Sequence, residues 1–397
     1  MACSAAGWSR VRRAWPGLDA HRGYHHWLGP AATWSEPTIS TTAVAPPDLG
    51  GGGAALPSEG EARPVAVHDL LHRPLRDLRI SLTDRCNLRC PYCMPRSHFG
   101  SGYRFRPVAE QLSVDEIVRL AGIFASLGVS KVRLTGGEPL LRHDLADVVR
   151  RLHGLGIPDL ALTTNGVLLR RWAAPLASAG LRRLTVSLDS LDPSIFAAMS
   201  DSRVDLGEVL DGISAAQEAG LSPIKLNCMV RRGMNDSSVA GLVDFARARG
   251  LVLRFIEYMD VGSSNGWRRE DVVTAQEILE TVDRQHQLVE EAREPGAVAR
   301  RYRFTDGGGE VGLIASVSQP FCHDCTRARI GSDGHLYTCL FAVSGMDLRG
   351  PLRNGAGDDE IRRLIASTWE GRTDRYSETR ATLTAPIQRI EMSYIGG

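Results

Sequence analysis

The chain has 397 residues, of which 43% are hydrophobic and 23% charged, as expected of a soluble globular protein with a large core. A formal net charge of +1 argues against general attraction to nucleic acid, so an anionic ligand requires a local basic cluster. The sequence has no run of about 18 or more apolar residues, which argues against a membrane-spanning helix.

The first 62 residues differ in composition from the rest of the chain. They contain four of the seven tryptophans and lead into "APPDLGGGGAALPSEGEARP", a stretch rich in proline, glycine and alanine. This composition is typical of a linker, and we expect residues 1–62 to form a disordered extension. The first forty residues contain arginines and few acids, so a transit peptide is the alternative.

From residue 75 onward, short apolar runs alternate with segments of helical spacing. Two of those segments, "SVDEIVRLAGIFASLG" and "LGEVLDGISAAQEAG", end in glycine, and Ser113 with Glu116 matches a capping box. Six strand–helix repeats predict parallel strands, and we expect an α/β fold: a partial, six-unit TIM-type barrel over residues 63–299. A doubly wound open sheet is the alternative. The six predicted strands are "LRISLT" (78–83), "KVRLTG" (131–136), "LALTTN" (160–165), "LTVSLD" (184–189), "IKLNCMV" (224–230) and "LVLRFIEYM" (251–259).

Polar residues stand near the carboxyl end of nearly every predicted strand. In barrels of this type the carboxyl ends of the strands form the rim at which chemistry is assembled. The sequence therefore predicts an active site along the positions Thr83, Thr135, Thr163, Ser187, Asn227 and Glu257.

The pattern changes over residues 300–397, which we expect to form a small C-terminal region. The segments "RRYRFTD", "EVGLIASVS" and "ARIGSDGHLYTCL" are typical of hairpin strands separated by glycines. A final helix is predicted at "DDEIRRLIASTWEG", followed by a tail that ends in "MSYIGG".

Six of the eight cysteines fall into two triplets. The first, Cys86-x3-Cys90-x2-Cys93, follows a predicted strand and its turn. Tight spacing without a secretory signal favours metal chemistry in a reducing cytoplasm over disulfides. Three thiolates suit a 4Fe–4S cluster that keeps one iron open, whereas a zinc site requires a fourth ligand such as His98.

The second triplet is Cys322-x2-Cys325-x13-Cys339. A zinc ribbon with His323 or His335 as fourth ligand is the alternative to a second cluster. Two arginines, Arg327 and Arg329, follow immediately, and arginines beside an open metal site suit an anionic substrate.

The segment "CNLRCPYC" resembles the signature of radical S-adenosylmethionine enzymes, and "LTGGEP" (134–139) follows it at about one βα repeat. In that family the methionine part of the cofactor occupies the open iron. The glycines allow close backbone approach, and Glu138 can neutralise an amine. The resemblance implies cofactor contacts at Tyr92, Gly136, Gly137, Glu138, Ser187 and Met259.

From about residue 70 to 397 the chain resembles the GTP 3′,8-cyclase family of molybdenum cofactor biosynthesis. The resemblance rests on "KVRLTGGEPLLR", "LTTNG", "RFIEYM", "FCHDCTRARI" and the terminal "YIGG", in addition to the first triplet. It departs from the family at Thr326, Ala328 and His335. It implies a catalytic tail of Gly396 and Gly397, and GTP contacts at Arg79, Arg133, Thr163, Lys225, Arg327, Ala328 and Arg329. Arg254, on the sixth predicted strand, is a further basic candidate for GTP binding.

The same resemblance implies two 4Fe–4S clusters, S-adenosylmethionine and GTP, with abstraction of the ribose 3′ hydrogen and bond formation at guanine C8. It also implies an electron donor such as flavodoxin or ferredoxin, a downstream cyclic pyranopterin synthase and a homodimer, with no nucleic-acid or membrane partner. Two rivals are a peptide-modifying maturase with an auxiliary cluster and a zinc-bearing nucleic-acid binder.

Overall fold

The computed structural model describes residues 66–380 and 388–396. The predicted extension, residues 1–62, therefore lies outside the described residues, and so does Gly397. No helix in the described ranges is long and apolar enough to cross a membrane.

The first six strands and their helices follow the predicted order. The strands are β1 (Asp77–Ser81), β2 (Lys131–Thr135), β3 (Asp159–Thr164), β4 (Arg183–Ser187), β5 (Ile224–Val230) and β6 (Val252–Glu257). The helices are α1 (Val114–Ser126), α2 (Leu145–Gly154), α3 (Leu169–Ser178), α4 (Pro193–Ser200), α5 (Leu206–Glu218), α6 (Val239–Ala248) and α7 (Ala275–Asp283).

The local signals at the helix ends are confirmed. Ser113 caps α1, accepting a hydrogen bond from the Glu116 amide, while the Glu116 carboxylate accepts one from the Ser113 amide. Gly128, just beyond α1, has φ of +100°, a conformation that glycine adopts without strain.

Beyond α7, the described residues form six further strands and four further helices. The strands are β7 (Leu288–Glu290), β8 (Arg300–Phe304), β9 (Glu310–Ile314), β10 (Arg327–Ile330), β11 (His335–Tyr337) and β12 (Met346–Asp347). The helices are α8 (Arg349–Arg353), α9 (Asp358–Glu370), α10 (Tyr376–Thr379) and α11 (Met392–Ile395).

The described strands form one sheet in the order β12-β11-β10-β1-β2-β3-β4-β5-β6-β9-β8-β7. Strands β1 to β6 are neighbours in chain order, whereas a doubly wound sheet reverses its order at a switch point. The prediction of a partial barrel is thus confirmed. The predicted hairpins are present, but β9 and β10 also add parallel strands, β9 beside β6 and β10 beside β1. The sequence did not predict these two additions.

Alternation along the parallel strands separates an apolar face from a polar one. On β1, Leu78 and Ile80 are fully buried beneath the helices, and Val132 and Leu134 of β2 are buried beside them. The opposite face of the same strands carries charged side chains and faces a large cavity. The hydrophobic core therefore lies between the sheet and the helices, while the inner face of the sheet remains available for binding.

Candidate active site

One cavity of about 1500 Å³ lies along the inner face of the barrel. Both cysteine triplets line it. So do most of the residues predicted to bind ligands: Tyr92, Gly136, Gly137, Glu138, Ser187, Met259, Arg79, Arg133, Thr163, Lys225, Arg254, Arg327 and Arg329. Residues separated by more than 200 positions in the sequence thus meet in a single site.

The two triplets lie at opposite ends of the paired strands β1 and β10. Cys86 and its partners follow the carboxyl end of β1, whereas Cys322 and Cys325 precede the amino end of β10. Because β10 runs parallel to β1 with Asp77 opposite Arg327, the second triplet lies near the amino end of β1. At about 3.3 Å per residue, the five residues of β1 separate the triplets by roughly 16 Å.

The first triplet is a group of partly buried thiols. Burial raises the pKa of Cys86 to about 11, and burial together with the neighbouring Cys93 thiol raises the pKa of Cys90. The Leu88 amide donates a hydrogen bond of 3.4 Å to the Cys86 sulfur. Close, desolvated thiols hold their protons until positive charge replaces them, so this donor set fits an iron–sulfur cluster.

The "GGEP" segment packs against the backbone of the loop that carries the first triplet. The Gly137 amide donates to the Thr83 carbonyl and the Glu138 amide to the Arg85 carbonyl, both at 2.7 Å. A Cβ on Gly136 would lie 2.6 Å from the Thr83 carbonyl oxygen, and one on Gly137 would overlap Arg85. The glycines are therefore required for close approach to this loop.

Glu138 is buried in the cavity wall. Its carboxylate accepts hydrogen bonds from the Thr164 hydroxyl and the Asn165 amide, each at 2.7 Å, and burial raises its pKa to about 7. A bound ammonium group would favour the ionised carboxylate. This environment fits the predicted contact with the amine of S-adenosylmethionine.

Asp189 is a site residue that the sequence reasoning missed. Its carboxylate accepts a 2.6 Å hydrogen bond from the Tyr92 hydroxyl and a 2.9 Å bond from the Met229 amide. Burial raises the pKa of Asp189 to about 6. It stands two residues beyond Ser187, on the same face of the chain, and period-two alternation from Ser187 could have found it.

Three arginines form a row across neighbouring strands. Arg329, Arg79 and Arg133 occupy paired positions on β10, β1 and β2. Arg133 donates to the hydroxyls of Thr163 and Thr185 at 2.9 and 3.0 Å. Burial, followed by the charge of Arg329, lowers the pKa of Arg79. Such a row of desolvated positive charges is stabilised by an anion.

A second basic group lies farther along the sheet. Burial, followed by Arg254 and Arg183, lowers the pKa of Lys225 to about 7, and burial with Arg133 and Arg183 lowers that of Arg254 to about 10. The sequence reasoning missed Arg183, which faces the cavity from the start of β4. Its period-two spacing from Thr185 and Ser187 was the available signal.

Ala328 is the predicted substrate residue whose side chain does not line the cavity. It lies between Arg327 and Arg329 on β10, and its side chain is fully buried in the hydrophobic core. Alternation along the strand explains this, because neighbours on either side of Ala328 face the cavity. The neighbouring Arg327 donates two hydrogen bonds to the Cys325 sulfur, one from Nε at 3.3 Å and one from a terminal guanidinium nitrogen at 3.2 Å.

A buried charge network, Asp69–Arg73–Arg372, holds the loop of the second triplet. Arg73 lies 2.6 Å and Arg372 3.3 Å from the Asp69 carboxylate, and the three side chains are at most 2% exposed. Arg73 donates to the Cys322 carbonyl at 2.6 Å, and Arg372 to the Cys325 carbonyl at 2.7 Å. Burial opposes ionisation of Cys325, but Arg327 and Arg372 lower its pKa to about 6. The donor set fits an anionic cluster.

We expect Asp69→Asn to destabilise the protein by about 3–5 kcal/mol, because two buried guanidinium groups lose their carboxylate. Anaerobic urea unfolding measures this, and iron analysis is expected to show loss of metal from the second triplet. Asp211→Asn is the matched control, since the Asp211–Arg170 pair is 63% and 73% exposed and contributes less than about 1 kcal/mol. Equal free energies of unfolding for the two variants would contradict the role of the Asp69–Arg73–Arg372 network in holding the loop of the second triplet.

The C-terminal tail enters the same site. Gly396 is buried, has φ of +73°, and its carbonyl accepts a hydrogen bond from the Arg329 guanidinium. A Cβ on Gly396 would overlap the Thr135 side chain. Both the conformation and the space therefore require glycine at this position.

No three His, Cys, Asp or Glu side chains in the described ranges are spaced to hold a single metal ion. A cluster requires a different arrangement, because each thiolate binds a separate iron.

The parallel barrel, the thiolate triplet at its rim and the adjoining glycine–glutamate segment define a radical S-adenosylmethionine enzyme. The profile of the Radical SAM superfamily matches residues 80–246, and that of Molybdenum Cofactor Synthesis C matches residues 251–378. Among solved structures, SuiB of Streptococcus suis bound to precursor peptide SuiA has a TM-score of 0.53 at 15% identity, covering 78% of this chain and 67% of that chain. At this identity the likeness shows the fold alone.

The sequence comparison identifies the family. The chain is 52% identical to the GTP 3',8-cyclase of Acidothermus cellulolyticus and 50% identical to that of Xanthomonas axonopodis pv. citri, with 83% of this chain and 99% of each relative covered. It is 44% identical, at the same coverage, to the GTP 3',8-cyclase of Staphylococcus haemolyticus. The chain belongs to the GTP 3',8-cyclase family.

Proposed function

We propose that the protein converts GTP to 3′,8-cyclo-7,8-dihydro-GTP, the first step of molybdenum cofactor biosynthesis. The observation that carries this proposal is the single cavity that has a thiolate triplet at each end and the row of Arg79, Arg133 and Arg329 between them. The family membership supports the same reaction. It does not favour the alternative of a peptide-modifying maturase.

The two sets of cysteines support the proposal of two clusters, and the first of them supports the cofactor. When bound, a cluster on the first triplet with S-adenosylmethionine supplies a 5′-deoxyadenosyl radical, and a cluster on the second triplet supplies an open iron for the guanine base. Cys86, Cys90 and Cys93 would hold the first cluster, and Cys322, Cys325 and Cys339 would hold the second. Glu138, Ser187, Met259, Tyr92 and the two glycines Gly136 and Gly137 would hold the cofactor.

The protein's own residues bind and orient GTP. The arginine row and Lys225 neutralise the triphosphate, while Thr163 keeps Arg133 in place through its hydrogen bond. The barrel wall excludes water from the reacting ribose, and Gly396 closes the site beside Arg329. Fixing the ribose and guanine relative to each other favours ring closure over side reactions.

Anaerobic turnover tests the proposal. Reconstituted protein with GTP, S-adenosylmethionine and dithionite is expected to yield the cyclic nucleotide and 5′-deoxyadenosine in equal amounts. Protein that binds its iron but leaves GTP unchanged would overturn the assignment. Recovery of zinc in place of about eight irons per chain would instead support a zinc-bearing binder.

Lys225 gives the proposed GTP site a characteristic pH dependence. Its pKa of about 7 in the free protein must rise when a triphosphate binds, so binding takes up a proton at mildly alkaline pH. We expect the GTP dissociation constant to increase by about tenfold between pH 7.5 and 9. Because the folded pKa lies below the unfolded value, this group's contribution to stability improves as pH rises above 7.

Calorimetry of the holoprotein in buffers of different ionisation enthalpy measures this proton uptake. Lys225→Met is expected to bind GTP more weakly at pH 7.5 and to lose both the proton uptake and the pH dependence. Identical proton uptake by wild type and variant would show that Lys225 does not face the phosphates.

The further requirements of this reaction extend the proposal. Two clusters need an external one-electron donor such as flavodoxin or ferredoxin, and six thiolate ligands need a reducing compartment such as the cytoplasm. The loop over residues 85–109 carries five arginines and no acidic residue, which suits an acidic donor. We also propose a homodimer and a downstream cyclic pyranopterin synthase that consumes the product.

A further inference from the structure

The C-terminal tail is attached to the loop that follows β6. This loop, residues 258–266, begins beside Met259 and is closed by Asn265, whose amide group donates to the Met259 carbonyl at 3.0 Å. The Tyr258 hydroxyl donates to the Asn265 carbonyl at 2.8 Å. The loop is thus internally braced, and Met259 belongs to the same unit as the residues that contact the tail.

Glu391 attaches the tail to the loop through its carboxylate. Its carboxylate accepts a hydrogen bond of 3.0 Å from the Ser263 amide and another of 3.0 Å from the Ser264 hydroxyl. Gly262 has φ of +67°, and a Cβ there would overlap the Glu391 carboxylate. The loop backbone is therefore shaped to receive this side chain.

Arg389 adds a second attachment to the same loop. Its amide donates to the Ser263 hydroxyl at 2.8 Å, and its guanidinium lies 3.2 Å from the Asp260 carboxylate. The Asp260 carboxylate is also 2.8 Å from Arg380, at the other side of residues 381–387. Two points on the tail are thereby fixed to the residue next to Met259.

The segment from Glu391 to Gly396 connects the attached residues to the reaction site. Glu391 immediately precedes α11, a single helical turn, and Met392 and Ser393 line the cavity. Tyr394 packs under the Arg106 guanidinium at 4.9 Å from its ring, and Gly396 meets Arg329. With one turn of helix between them, a shift at Glu391 moves Gly396.

We infer that Glu391 is a positioning residue that couples the cofactor loop to the catalytic tail, so that the tail is held beside Arg329 when S-adenosylmethionine is bound. The inference rests on the proposed function, because it takes Met259 as a cofactor contact. Such coupling is reciprocal: the cofactor stabilises the tail, and the tail strengthens cofactor binding.

Hydrogen exchange of residues 388–396 in the holoprotein tests the coupling without GTP. S-adenosylmethionine is expected to slow exchange of this segment by about tenfold in wild type and by less than about twofold in Glu391→Gln. Glu277→Gln is the matched control, since Glu277 likewise accepts from a backbone amide and a hydroxyl, of Thr274, both at 2.8 Å. That control is expected to behave as wild type.

Turnover provides the second readout. Glu391→Gln is expected to cyclise GTP about tenfold more slowly with unchanged iron content, and to form an excess of 5′-deoxyadenosine over cyclic product. Ser264→Ala is expected to lower the turnover rate by a smaller factor. The effects of Ser264→Ala and Glu391→Gln on the rate are expected not to add, because both substitutions alter the same hydrogen bond. If the Glu391→Gln variant shows the same hydrogen exchange and the same turnover rate as the wild type, the inference is overturned. If wild type itself forms no cyclic product, the proposed function fails, whatever the exchange result.

Discussion

Replacing Gly396 by alanine is expected to lower the rate of GTP cyclisation by about a hundredfold, at unchanged iron content. The residue has φ of +73°, and an added Cβ would overlap Thr135. Relief of that overlap displaces the carbonyl that accepts a hydrogen bond from Arg329. A shift of about 1 Å at a reaction site suffices for a loss of this size.

Two variants separate this steric effect from backbone strain. Gly156 has φ of +70° with nothing within 4 Å of an added Cβ, so Gly156→Ala carries the strain without the collision and is expected to retain full activity. Adding Thr135→Ser to Gly396→Ala removes the colliding methyl group and is expected to restore part of the rate. A Gly396→Ala variant with wild-type turnover would show that the tail plays no part in catalysis.

Replacing Cys325 by alanine is expected to abolish cyclisation and to lower the iron content from about eight to about four per chain. Two thiolates cannot hold a 4Fe–4S cluster, whereas the first triplet lies at the opposite end of β1 and keeps its own. Arg327 loses its sulfur partner, and the arginine row loses the neighbouring negative charge. GTP affinity is nevertheless expected to fall along with activity, because the open iron proposed to bind the guanine base is lost with the cluster.

Iron analysis and electron paramagnetic resonance of the reduced variant measure this outcome. Slow, unproductive cleavage of S-adenosylmethionine is expected to continue, since it depends on the first triplet. Cys228→Ala is the control: its buried thiol bonds to the Asp189 carbonyl at 3.6 Å and belongs to neither triplet, so iron content should not change. Retention of about eight irons in Cys325→Ala would refute the second cluster.

Much of the fold could be predicted because its signals are local. Each of the six predicted barrel strands overlaps an observed strand, and β5 matches its predicted bounds, Ile224–Val230. The capping box at Ser113 and Glu116 likewise depends on residues three positions apart. The position of the candidate site could be predicted from cysteine spacing for the same reason, since both triplets are short motifs.

The remaining features depend on pairings between distant parts of the chain. Nothing in "EVGLIASVS" or "RARI" indicates that these strands extend the barrel at opposite edges, because that depends on partners such as Asp77 for Arg327. The buried contact of Asp69 with Arg372 joins positions about 300 apart in sequence. Ala328 is different, because the sequence did indicate where its side chain lies. Neighbouring residues of a strand face opposite sides of the sheet, so Ala328 faces the core when Arg327 and Arg329 face the cavity.

The fate of the ribose 3′ hydrogen tests the central claim most directly. Holoprotein supplied with GTP deuterated at C3′, S-adenosylmethionine and reductant is expected to yield 5′-deoxyadenosine heavier by one mass unit, together with the cyclic nucleotide. Transfer of that atom requires the cofactor and GTP to meet in the one cavity between the two triplets. Unlabelled 5′-deoxyadenosine, with GTP recovered intact, would contradict the account.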